Sequence, residues 1–139
     1  MPTSCDSLFE QALERYRNGA EASALLPDFE AITSQAPRQA SGWICLAWLQ
    51  LLTGDGEDAL RSARTGVRLS PQDPQARINL ALALLATGAA GVRDQIQVVQ
   101  RILSMAPDLG TELRESIEDG LKRRPDWKEL IKVKTWLDL

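Results

Sequence analysis

A chain of 139 residues, 44% of them hydrophobic, has the length of a single domain and enough apolar material for one continuous core. Charged residues make up 25% and the net charge is only −3, a mixed surface that argues against nucleic-acid binding and polyelectrolyte tails. No histidine is present, and Cys5 and Cys45 lie far apart with no CxxC spacing. This excludes the usual zinc sets, and two free thiols fit a reducing, cytoplasmic setting.

The first residues, MPTSCDSLFEQALERY, contain no basic stretch followed by an apolar block, and no later run reaches the ~20 apolar residues of a membrane span. Neither export nor anchoring is expected. Leu, Ala, Arg, Gln and Glu dominate while Ile, Val, Phe and Tyr are scarce, which favours helix over sheet. Three prolines then set a period: Ala36-Pro37, Ser70-Pro71 and Ala106-Pro107 are spaced by 34 and 36 residues. Between them run two helical patterns separated by a glycine-containing break, the layout of a helix-turn-helix repeat.

The first unit, about residues 6–37, carries Phe9, Ala12, Leu13, Tyr16 and Phe29, with Pro27 expected in the opening turn of its second helix. The second, about 40–71, carries Trp43, Leu46, Ala47, Gly54, Ala59 and Leu69 before its proline. Asp73-Pro74 reads as an N-cap followed by proline at the first helical position, which opens the third unit, 74–107. There Leu80, Ala81, Leu84 and Gly88 repeat the second unit's pattern. Two extra residues in the turn Ala89-Ala90-Gly91-Val92 bring Val99, Ile102 and Leu103 back into register. Ala47 and Ala81 are expected where the helices of a hairpin approach closely. Beyond Pro107, Leu109, Leu113, Ile117 and Leu121 recur every fourth residue. Pro125 ends that helix, and Asp126 with Glu129 forms a capping-box pattern before a last helix bearing Trp127, Leu130, Ile131 and Leu137. Trp127 and Trp136, nine apart, cannot share one narrow face, so one of them should be partly exposed. Residues 108–139 are read as a capping pair, and the mixed charges around Lys122, Arg123 and Arg124 as a solvated face.

These residues resemble the tetratricopeptide family. Its pattern of Trp, Leu, a small residue, then Ala and a closing Pro is met at Trp43, Leu46, Ala47, Ala59 and Pro71, with departures at Gln50 and Ala63. The first unit is a degenerate copy, with Ala12 and Leu13 reversing the usual large-then-small pair. About two-thirds of the chain is covered. The resemblance implies an all-α, right-handed α-solenoid of three helical hairpins. It also implies a concave groove lined by Ile44, Cys45, Trp48, Leu52, Gln75, Ile78, Asn79 and Leu82 that takes a peptide or helix of another protein. Trp48 is the expected anchor, unless the C-terminal helices or a second copy cover it. The paired Lys/Arg and Asn with which some members grip a C-terminal carboxylate are missing here.

No pair of carboxylates converges, Thr53-Gly54-Asp55-Gly56 lacks the lysine of a phosphate loop, and neither cysteine has a histidine to activate it. A non-enzymatic interaction module without cofactors is therefore expected. A homodimer built on the same apolar face is the alternative. RNA binding by a related helical repeat is disfavoured by net acidity and the apolar groove, and membrane binding has no support.

Overall fold

A computed structural model describes residues 5–139; residues 1–4 and the Cys5 thiol lie outside the described part. Eight helices account for the order among the described residues, and no strand occurs there: α1 (Cys5–Arg17), α2 (Ala22–Gln35), α3 (Ala40–Leu52), α4 (Gly56–Leu69), α5 (Pro74–Thr87), α6 (Val92–Met105), α7 (Leu109–Arg123) and α8 (Lys128–Leu137). From α1 to α6 each helix packs chiefly on the one before it and the one after, the arrangement of an α-solenoid.

The turns form where the sequence places them. Gly54 and Gly88 lie between paired helices at φ +81° and +70°, a left-handed backbone that glycine adopts without a Cβ penalty. The two residues by which the third unit exceeds the second are shared out. α5 runs one residue further than α3 does, and the following turn is one residue longer, 88–91 against 53–55.

Asp73 caps α5, its carboxylate accepting from the backbone N–H groups of Gln75 and Ala76 at 2.8 and 3.1 Å. Asp55 does the same for α4 through Asp58 N–H. The capping box expected at Asp126 and Glu129 does not form: Trp127 is the N-cap of α8 and makes no side-chain cap bond. Pro27 sits one turn deeper than expected, inside α2, where it faces solvent. Water there can satisfy the carbonyl that the missing N–H leaves free.

Four helices stop alike. Ala36, Ser70, Ala106 and Arg124 each take φ between −131° and −140° with ψ of 67–80°, each donates its N–H to the carbonyl four residues back, and each precedes a proline. Proline clashes with a helical residue before it, so the chain must leave the helix at that point. Pro125 thus closes α7 by the device that closes α2, α4 and α6.

Three groups of buried residues make the core. Ala12, Leu25, Phe29, Ile32, Leu46 and Leu49 fill the space between α1, α2 and α3, with Phe9 edge-on to Phe29 at 5.8 Å. Ala47, Ala63, Leu80 and Leu84 join α3, α4 and α5, where the alanines let the helices come close. The largest group brings Trp48, Ile78 and Leu82 together with Leu113, Ile117, Trp127, Leu130, Val133 and Leu137 of the last two helices. Trp127 is buried and Trp136 is 44% exposed, as their spacing requires.

Two buried amides have opposite circumstances. Asn79 is fully buried; its amide donates to the Ile44 carbonyl at 2.9 Å and its oxygen accepts from Gln75, tying α5 to α3. Gln50 is also buried, but its side-chain oxygen has no hydrogen-bond partner. An unmet buried carbonyl costs ~1–3 kcal/mol. Gln50→Leu should therefore raise the free energy of unfolding in urea by about 1 kcal/mol or more, whereas Asn79→Ala, which removes the hydrogen-bonded tie between α5 and α3, should lower it by about 1 kcal/mol or more. A loss of stability in Gln50→Leu would contradict this account of the site.

Candidate protein-binding cleft

α7 lies against the first helix of each hairpin, touching α1, α3 and α5, the side of the array on which a groove is expected. Trp48, near the middle of α3, is only 7% exposed because α7 and α8 cover it. The helices meet at Gly120, where a methyl group would lie 2.7 Å from the Trp48 ring and 2.9 Å from Leu130. No side chain fits at that point. The Trp48 ring also packs against Trp127, with centroids 5.3 Å apart.

Polar groups fix α7 at its C-terminal end. The Trp48 indole N–H donates to the Tyr16 hydroxyl at 2.9 Å, and that hydroxyl donates to Asp119. Arg123 donates to the same carboxylate at 3.1 Å and lies over the Tyr16 ring, 3.8 Å from its centroid. Its two terminal nitrogens donate to the carbonyls of Tyr16 and Ala20 at 2.7 and 2.9 Å, at the end of α1. Arg124 in turn donates to the Leu51 carbonyl, in the last turn of α3, at 2.8 Å. Cations belong at helix C-termini, where carbonyls lack intrahelical partners. A partly exposed ion pair such as Arg123–Asp119 contributes ~0–1 kcal/mol, while hydrogen bonds to a charged group contribute ~1.5–3 kcal/mol each. The carbonyl contacts therefore dominate the attachment.

Towards its N-terminal end α7 stands clear of α1 and leaves a cleft of about 570 Å³. The apolar part of its lining comes from Leu13, Phe29, Ile44, Trp48 and Leu49, and the α7 wall from Glu112, Glu115, Ser116 and Asp119. The size lies within the ~300–1,000 Å³ usual for ligand sites.

The eight residues expected to line the groove are thus divided. Ile44, Cys45, Trp48 and Gln75 line the cleft. Leu52 lines a neighbouring, more polar hollow with Arg17, Lys122 and Arg123. Ile78, Asn79 and Leu82 have no exposed surface at all: Ile78 and Leu82 pack in one cluster with α7 and α8, and Asn79 is bonded to the Ile44 carbonyl of α3. Their expected exposure is corrected by the path of α7. Leu13, Tyr16, Glu112, Glu115 and Ser116 were not anticipated. The heptad-like spacing of Leu113, Ile117 and Gly120 was the available signal that α7 presents a face to something.

Two groups on the cleft wall are shifted in their titration. Burial, aided by Asp73, pushes the Cys45 thiol up to about 12, so it stays protonated and is a poor nucleophile. Burial and then the bond to Asp119 raise the Tyr16 phenol above its ordinary value of 10.0, against the opposing bond from Trp48. The arrangement offers an apolar floor and hydrogen-bonding walls.

The helices, their consecutive packing and the cleft define a tetratricopeptide-like α-solenoid. No family model matches the sequence, and no curated protein does. Solved structures are similar in fold. Two structures of the type III secretion translocator chaperone SycD from Yersinia enterocolitica, one described as an alternative dimer, align with TM-scores of 0.67 and 0.68 at 19% and 18% identity. They cover 89% of this chain and 97% and 90% of SycD. MamA aligns with a TM-score of 0.63 at 13% identity, over 98% of this chain and 77% of its own. SycD and MamA are helical-repeat proteins of the same tetratricopeptide-like type.

Tyr16 is the chain's one tyrosine, so tyrosinate absorbance reports it alone. Because its pKa is raised on folding, the stability it contributes is present below pH 10 and is lost as pH climbs beyond that value. Tyrosinate should appear only well above pH 10 in the folded protein, and at the ordinary value in urea. Stability should fall more steeply above pH 10 in the wild type than in Tyr16→Phe. Titration of the folded protein at pH 10 itself would contradict the Tyr16–Asp119 contact.

Proposed function

We propose that this chain is a non-enzymatic, cytoplasmic protein-interaction module that takes a peptide or helix of a partner in the cleft between the repeats and α7. Ile44, Cys45, Gln75 and the accessible edge of Trp48 are its contact residues from the repeats, and no cofactor takes part. One observation carries this reading: a cleft of ligand-site size, with an apolar floor, remains open on the concave face although α7 covers the rest of that face. The resemblance in fold to a protein described as a chaperone for a translocator adds support, since such a protein has another polypeptide as its ligand. A protonated, unpaired Cys45 thiol fits a reducing compartment. No helix among the described residues is long and apolar enough to cross a membrane.

Ile78 and Leu82 can join the site only if α7 and α8 move away, and Asn79 only by giving up its bond to α3, so all three are excluded from it here. A second reading is self-association, and a different surface favours it: Ile131 and Trp136 on α8 are 46% and 44% exposed.

Ser116 provides the test, because it faces the cleft from α7 and is not buried. Ser116→Trp should fill the cleft, leave the unfolding midpoint nearly unchanged, and weaken capture of the partner from a lysate of the native cell at least tenfold. Trp136→Glu should leave capture intact. If capture survives Ser116→Trp and is lost with Trp136→Glu, together with a drop in mass by light scattering, the assembly reading replaces the cleft.

A further inference from the structure

The charges around the cleft differ in whether they are already satisfied. Arg17 pairs with Glu14 at 3.7 Å, and Asp119 is taken up by Arg123 and Tyr16. Glu112 and Glu115, by contrast, are exposed on the α7 wall, and neither forms an ion pair among the described residues. The charge left uncompensated beside the apolar floor is therefore negative.

Building on the cleft reading above, we infer that the occupant is a polypeptide segment with a large apolar side chain flanked by lysine or arginine. The apolar side chain takes the floor, whose accessible apolar residues are Leu13 and Ile44, with the nearly buried Phe29, Trp48 and Leu49 packed behind them. The neighbouring cation meets Glu112 and Glu115, which are three residues apart and so lie on the same side of α7. An acidic segment would set like charges against the wall and is rejected on those grounds. The two carboxylates are exposed, so their part is chiefly selection of the partner and speed of encounter, while the floor supplies most of the affinity.

The test uses the full chain and three short synthetic peptides in which leucine alternates with lysine, with glutamine or with glutamate, followed by fluorescence anisotropy. The lysine peptide should bind most tightly. Its affinity should drop about fivefold or more in Glu112→Gln/Glu115→Gln, and should weaken as salt shortens the Debye length from ~10 Å at 0.1 M to ~3 Å at 1 M. Neutralising two exposed glutamates away from the cleft and α7, Glu30→Gln/Glu57→Gln, should change it far less, which separates the local wall from the net charge of the protein. Ser116→Trp should abolish binding. If the glutamine or glutamate peptide binds as well as the lysine peptide and is lost in Ser116→Trp, the cleft stands and the charge selection is wrong. Equal losses in the two double variants would also overturn the selection. Lysine-peptide binding that ignores Ser116→Trp, or no binding by any of the three, would remove the cleft itself and the inference with it.

Discussion

Everything distinctive about this molecule depends on the seating of α7 over Trp48. A bare helical array would leave that indole at the bottom of a wide apolar groove. Here Gly120 brings one backbone onto the ring, Trp127 packs against it, and the indole N–H is satisfied by Tyr16. A buried tryptophan needs that hydrogen bond, because an unmet indole donor would offset part of what its area contributes. The bond runs on through Asp119 to Arg123 and so to the end of α1, which means that one side chain of α3 helps to position the last two helices.

The same seating decides what kind of surface is left. With α7 hard against Trp48 at Gly120 and apart from α1 nearer its N-terminus, the concave face is divided into a sealed core and an open cleft. Ile78, Asn79 and Leu82 fall on the sealed side and act as core residues, with Asn79 holding α3 and α5 in register through the Ile44 carbonyl. Ile44, Cys45 and Gln75 fall on the open side. α7 thus both narrows the groove and supplies one wall of what remains, including Glu112 and Glu115, which form no ion pair among the described residues.

The repeats were legible in the sequence because their signals are local. Proline after each second helix, glycine at each inner turn, and alanine at Ala47 and Ala81 each answer to a requirement felt within a few residues, and all of them act as expected in the folded chain. The helix of residues 109–123 was legible too, from its fourfold spacing. Its destination was not. Periodicity shows that a helix has an apolar face but not which surface that face meets, so Leu113 and Ile117 could equally have covered the end of the array. Arg123 and Arg124 looked like members of a mixed-charge run because their true partners, main-chain carbonyls, have no signature in side-chain chemistry. Asp126 and Glu129 show the converse: the capping pattern is present, yet the chain arriving from Pro125 places Trp127 at the N-cap.

Arrays of helical hairpins ordinarily fold as one-dimensional objects, each unit stabilised by its neighbours and able to fray from either end. The bonds from Asp119 and Arg123 to Tyr16 and Ala20 span 103 to 107 residues of sequence and close that line into a loop. Fraying at one terminus then carries a penalty at the other. Loss of the first helix and loss of the last two are thereby linked, which favours unfolding as one unit over peeling repeat by repeat.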